Sequence, residues 1–109
     1  MLNSVSIIGR LCGDPKLNTT TDGTKVTTFT VAVDRNFVNK DGKRDSDFFE
    51  VTAWRKPAEF IVENFKKGSM IAVHGSLRSH NFEDATGNKR KAIEILADDV
   101  SFCERKAKE

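Results

Sequence analysis

Only one stretch of this chain repeats at helical spacing, and it is short. Ala58, Ile61, Val62 and Phe65 stand three, four and seven residues apart and form one apolar stripe. Pro57 precedes them where the first turn of a helix tolerates proline, Lys66 and Lys67 suit a last turn, and Gly68 suits a stop. The spacing predicts one helix of about ten residues. Nearly everything else alternates every second residue, the period of a half-buried strand. A chain of this kind is mostly β, with one helix to pack against its sheet.

Five strand segments follow from the alternation. The first runs from about Asn3 to Cys12, with Val5, Ile7 and Ile8 apolar; Gly9 inside it points to a bulge or a close backbone approach. Gly13-Asp14-Pro15 ends it, and Thr19 to Lys25, with Asp22-Gly23, is a polar turn. The second, Lys25 to Asn36, puts Phe29, Val31 and Val33 on one face and Thr28, Thr30 and Ala32 on the other. A charged hairpin tip with Asp41-Gly42 leads to the third, Asp47 to Trp54. After the helix comes the fourth, Ser69 to about Phe82, with Ile71, Val73 and Leu77 on its apolar face. A second tip, Glu83 to Lys91, contains Thr86-Gly87-Asn88. The fifth starts near Ala92, and a last extended piece holds Val100 and Phe102. Five strands with one helix between the third and fourth is the order of an OB-fold, a small Greek-key barrel.

At 109 residues the chain is one domain. We expect residues 1–103 to form it and 104–109 to be a short charged tail. Lys plus Arg is 18 and Asp plus Glu is 16, a net charge of +2, which argues against a simple polycation. No apolar run is long enough to cross a membrane and no signal peptide is evident, so a cytoplasmic protein with Cys12 and Cys103 reduced is expected. No Cys-x-x-Cys or His-x-x-x-His pair suggests a metal, and no phosphate loop is present. Asp45 with Asp47, and Asp98 with Asp99, read as solvated turn residues, and no spacing of Ser, His and Asp suggests a triad. His74 and His80 read as surface groups. The chain is not expected to be an enzyme or to need a cofactor.

The aromatic residues are lopsided, with eight Phe, one Trp and no Tyr. Phe29, Phe65 and Phe102 sit in apolar patterns and are expected in the core, and Phe49 in the core or a subunit interface. Alternation puts Phe48 and Trp54 on one face with Glu50 and Thr52. Arg78, His80 and Phe82 likewise share one face of the fourth strand, and Phe37 follows Asp34-Arg35-Asn36. Such rings are either covered by the helix or another subunit, or form a solvated platform. On a platform, bases can stack while Arg and Lys follow the phosphates, which is how single strands are bound without sequence readout. The alternation alone leaves both readings open.

The order of several short motifs adds to this. Met1-Leu2-Asn3, Ile8-Gly9-Arg10-Leu11 and Asp14-Pro15 are followed by Thr28-Phe29-Thr30-Val31-Ala32-Val33. Then come Trp54-Arg55-Lys56, Ala58-Glu59, Phe65-Lys66-Lys67-Gly68-Ser69, Gly75-Ser76-Leu77-Arg78 and Phe82. Together they resemble the bacterial and phage single-stranded DNA-binding proteins of the tetrameric OB-fold family, over nearly all of Met1 to Phe102.

The resemblance implies single-stranded DNA wrapped over a homotetramer, a dimer of dimers, in replication, recombination and repair. It implies stacking positions at Phe48, Trp54, Phe82 and Phe37. It implies basic contacts at Arg10, Arg35, Lys56, Lys67 and Arg78, with His80 where the family commonly has Arg. That family usually continues into a flexible tail with an acidic tip that recruits partners. The sequence here ends Arg105-Lys106-Ala107-Lys108-Glu109, so such recruitment is not expected of it. Two other classes fit the same pattern: an OB-fold module that uses these faces for protein contacts, and an RNA-binding OB protein.

Overall fold

A computed structural model describes residues 1–103; the tail expected at 104–109 lies outside the described residues. The strands are β1 (Val5–Leu11), the two-residue β2 (Asn18–Thr19), β3 (Lys25–Val38), β4 (Arg44–Trp54), β5 (Met70–Glu83) and β6 (Lys89–Phe102). The one helix, α1 (Lys56–Asn64), lies between β4 and β5. The sheet order is β1-β5-β6-β4-β3-β2, and β1 also pairs with β3, which closes a five-stranded barrel with β2 as an appendage. All pairings are antiparallel except β4 with β6, which meet in parallel at Val51↔Ile95 and Thr52↔Leu96. This is the expected OB-fold.

The barrel interior holds Leu11, Phe29, Val31, Val51, Ala53, Ile71, Val73, Ile95 and Ala97, joined from α1 and its end by Ala58, Ile61 and Phe65. Alternation assigned most of these correctly. Two glycines let the strands approach closely. A Cβ on Gly9 would meet the Ala32 carbonyl, and one on Gly75 would meet the Leu96 carbonyl. Gly75 sits at a bulge, where the β5–β6 register slips between His74↔Asp99 and Gly75↔Ala97.

The three hairpin tips share one construction. In Thr20–Thr24, Asn39–Lys43 and Asp84–Asn88, the first residue's N–H donates to the last residue's carbonyl, and a glycine with positive φ donates back to the first carbonyl. The first residue's side-chain oxygen also accepts the last residue's N–H, at 3.1, 3.0 and 3.0 Å respectively.

Four expectations are corrected. The helix stops at Asn64: Phe65 is already extended, with its N–H bonded to the Ile61 carbonyl, so Lys66 and Lys67 lie beyond the last turn. Gly68 (φ +88) serves the following turn instead, where its N–H reaches the Leu11 carbonyl. The piece holding Val100 and Phe102 is continuous with the fifth strand. Leu77 and Phe102 are about half exposed: Leu77 lies where β5 leaves the barrel wall, whereas Phe102 ends β6 at the opposite end of that hairpin, paired with Ile71. Phe102 stacks on Phe65 with ring centroids 5.0 Å apart and meets the edge of Phe60 at 5.6 Å, so it forms the rim of the core.

Candidate nucleic-acid interface

The barrel's outer face is read from the register. Arg10 on β1 pairs with Ala32 on β3, and Ala32 pairs with Phe48 on β4. Paired residues share a face, so Arg10 and Phe48 stand in one row with only an alanine between them. Further along, Thr30↔Glu50, Thr28↔Thr52 and Val26↔Trp54 continue that face. Phe48 is 67 % exposed and Trp54 39 %, so neither the helix nor the barrel covers them. They lie six residues apart on one strand, about 20 Å.

Thr52 stands between them and is buried despite its polar neighbours. Its hydroxyl donates to Glu94 at 2.7 Å and lies 3.3 Å from the Thr28 hydroxyl. That bond ties β4 to the long β5–β6 hairpin. Thr52 also pairs with Leu96, and Leu96 with Ser76, which carries the face onto β5. Arg78 (paired with Glu94), His80 (with Ala92) and Phe82 (with Arg90) therefore continue the platform outward along a two-stranded arm. Trp54 and Arg78, from strands far apart in sequence, line one shallow hollow with Arg55, Asp22 and Thr24. At the arm's tip the His80 and Phe82 rings are 6.1 Å apart and tilted. Phe82 there lines a second hollow with Lys89, Arg90 and Lys91.

The remaining expected residues fall in three other places. Lys67 and Arg10 meet at the turn after α1, where the Lys67 N–H donates to Asp14 at 2.7 Å and the Arg10 guanidinium donates to the Gly68 carbonyl at 2.9 Å. Lys56 opens α1 two residues after Trp54 and is exposed. Arg35 and Phe37 lie on the β3–β4 arm. There Arg35 makes a two-point ion pair with Asp47 at 2.9 and 3.2 Å, and Phe37 lines a hollow with both. The register pairs Asp47 with Val33, so Arg35 faces the side opposite Phe48. The Arg35 guanidinium holds the Asp47 carboxyl below its ordinary range.

The sequence places Arg55 among the bases near the rings but not among the expected contacts, and sequence reasoning leaves the run Lys89-Arg90-Lys91 out of the site. The run was legible as three consecutive bases. Its place beside Phe82 depends on the hairpin register. Reasoning also passed over a link between Ser4, His74 and Asp98. The Ser4 hydroxyl lies 3.1 Å from His74 Nε2, and His74 Nδ1 lies 3.0 Å from Asp98. The His74 and Asp98 side chains are more than half exposed, so water competes at each link, and the chain of bonds orients the His74 ring on an open strand face.

The fold and the site together define an OB barrel with an exposed aromatic and basic platform extended along a hairpin arm. Residues 2–103 match the model of the single-strand binding protein family, and the chain belongs to that family. It is 47 % identical to a single-stranded DNA-binding protein of Caldanaerobacter subterraneus subsp. tengcongensis, over 98 % of this chain and 71 % of that one. It is 44 % identical to single-stranded DNA-binding protein 2 of Listeria monocytogenes (97 % and 66 %) and 42 % identical to single-stranded DNA-binding protein A of Bacillus subtilis (97 % and 62 %). The chain thus spans roughly two thirds of the length of these relatives.

Proposed function

We propose that this protein binds single-stranded DNA without sequence preference, and that it coats and protects such strands during replication, recombination and repair. Bases stack on Phe48, Trp54 and Phe82, while Arg10, Lys56, Lys67 and Arg78 neutralise phosphates. The observation that carries this reading is the continuous exposed face from Arg10 and Phe48 to Trp54, Arg78 and Phe82, bridged by Thr52 and Glu94. Stacking on open rings needs no hydrogen bond to a base edge and therefore tolerates every sequence. His80 extends the track along the β5–β6 arm, and Phe37 with Arg35, which is shared with Asp47, offers a further contact on the β3–β4 arm at the side opposite Phe48. The protein acts by binding alone, in the cytoplasm, as a homotetramer built as a dimer of dimers. Self-association is supported by the open β1–β5–β6 face, where the half-exposed Ile8 lies in a groove with Ala72, Ser6 and Ser101.

Trp54 is the single tryptophan, so its fluorescence reports on the site. Titration with oligothymidylate should quench it, with affinity falling as salt rises. Trp54→Ala should weaken binding by about 1–3 kcal/mol and leave the circular dichroism spectrum unchanged. An unchanged affinity would show that Trp54 is structural. Native mass measurement of the complex gives the stoichiometry in the same experiment.

A further inference from the structure

The turn from β4 into α1 is made by Arg55, the only residue besides glycine with positive φ among the described residues. Its φ is 64° and its ψ −131°, a region that side chains avoid and that glycine enters freely. The backbone there is pinned from both sides: the Arg55 N–H donates to the Lys25 carbonyl at 2.7 Å, and its carbonyl accepts the Glu59 N–H at 3.1 Å. Glycine would satisfy this turn with less strain, yet the position holds an arginine. Strain of this kind gathers where a side chain is needed in one place.

That place is the hollow beside Trp54, lined by Arg55 and Arg78. Neither guanidinium has a hydrogen-bond or ion-pair partner among the described residues. The acid on the far wall, Asp22, is already engaged by the Thr20 hydroxyl and the Thr24 N–H, bonds that hold its carboxyl below the ordinary range. Two unpartnered guanidinium groups lining one hollow repel each other and favour an anion between them. Arginine's fork suits the oxygens of a phosphate.

We propose that Arg55 and Arg78 form a phosphate clamp for the nucleotide whose base stacks on Trp54, and that the strained backbone of Arg55 is retained for this contact. The inference rests on the single-stranded DNA reading above. It is tested with Arg55→Gly and Arg55→Ala, using the anisotropy of a labelled oligothymidylate across a salt series together with thermal unfolding of the free protein. Arg55→Gly removes the charge and the strain together, so it should bind about tenfold more weakly and unfold a few degrees higher. Arg55→Ala removes only the charge, so it should bind as weakly without the rise. In both variants the slope of log affinity against log salt should become shallower by about 0.7, one phosphate's worth on a single strand. Wild-type affinity and slope in both variants would overturn the clamp, and a lower midpoint for Arg55→Gly would overturn the strain. Failure of the wild-type protein to bind at low salt would instead overturn the DNA reading itself, before any variant is made.

Discussion

The Asn3 side chain and the Leu77 backbone form a closed pair of hydrogen bonds. Asn3 Nδ2 donates to the Leu77 carbonyl at 2.9 Å, and the Leu77 N–H donates to Asn3 Oδ1 at 2.8 Å. The last backbone pair between β1 and β5 is Val5↔Gly75, so Asn3 continues the ladder with an amide side chain where the strand has ended. Leu77 is where the β5–β6 arm leaves the barrel, and every residue from there to Glu83 is exposed. On the other flank, Thr52 holds Glu94. The arm that carries Arg78 and Phe82 is thus gripped at its base from both sides.

Asn3→Ala should therefore loosen the arm more than the barrel. Each exposed hydrogen bond contributes about 0.5–1.5 kcal/mol, so the global loss should be small. The Leu77 amide, by contrast, should lose most of its hydrogen-exchange protection. Unchanged exchange at Leu77 would show that the bond is not maintained in solution.

Gly75→Ala should destabilise the protein by about 1–3 kcal/mol in a denaturant titration. The added Cβ meets the Leu96 carbonyl, which is backbone and cannot rotate aside. Relief requires shifting the bulge that sets the angle between barrel and arm, so a lower affinity for long oligonucleotides is expected as well. Wild-type stability would show that the bulge yields freely.

Thr27 is fully buried in β3, and among the described residues its hydroxyl has no hydrogen-bond partner. Thr27→Val keeps the shape and removes the orphaned hydroxyl. It should hold stability or raise it by up to about 1 kcal/mol, read from denaturant unfolding. A clear loss would reveal a bound water or another partner at this position.

Asp84 governs the acid response of the arm tip. Bonds from the Thr86 hydroxyl, Arg90 and the Asn88 N–H lower its carboxyl from the ordinary 3.8 to about 2. A depressed carboxyl stabilises the folded form above its ordinary value and loses that contribution as pH falls through the folded one. The tip should stay ordered down to about pH 4 and loosen between there and about pH 2. Chemical shifts of Thr86, Gly87 and Asn88 in the folded protein should titrate with a midpoint near 2. A transition centred near 3.8 would show that the carboxylate is not held.

Strand segments, turn chemistry and the sorting of rings between faces were legible in the sequence, because each depends on neighbours within a few residues. Period-two alternation put Phe48 and Trp54 opposite Val51 and Ala53, and Asp-Gly and Thr-Gly marked the tips. The same logic failed for Leu77, and it could not show that Phe102 ends its strand at the rim of the core. A strand keeps its alternation after it passes the barrel wall, but whether an apolar face is covered depends on which strand lies beyond it. Alternation likewise could not show that Arg35 is committed to Asp47, or that Asn3 reaches Leu77 across 74 residues.

The sequence by itself determined a β-rich barrel with one helix and a face bearing rings in polar company. Only the tertiary structure decided that Trp54, Arg55 and Arg78 share one hollow. That meeting depends on barrel closure through the two-residue parallel contact of β4 with β6 and on the slipped register at Gly75. These are long-range pairings, and a local pattern of residues carries no record of which distant strand will satisfy its backbone hydrogen bonds.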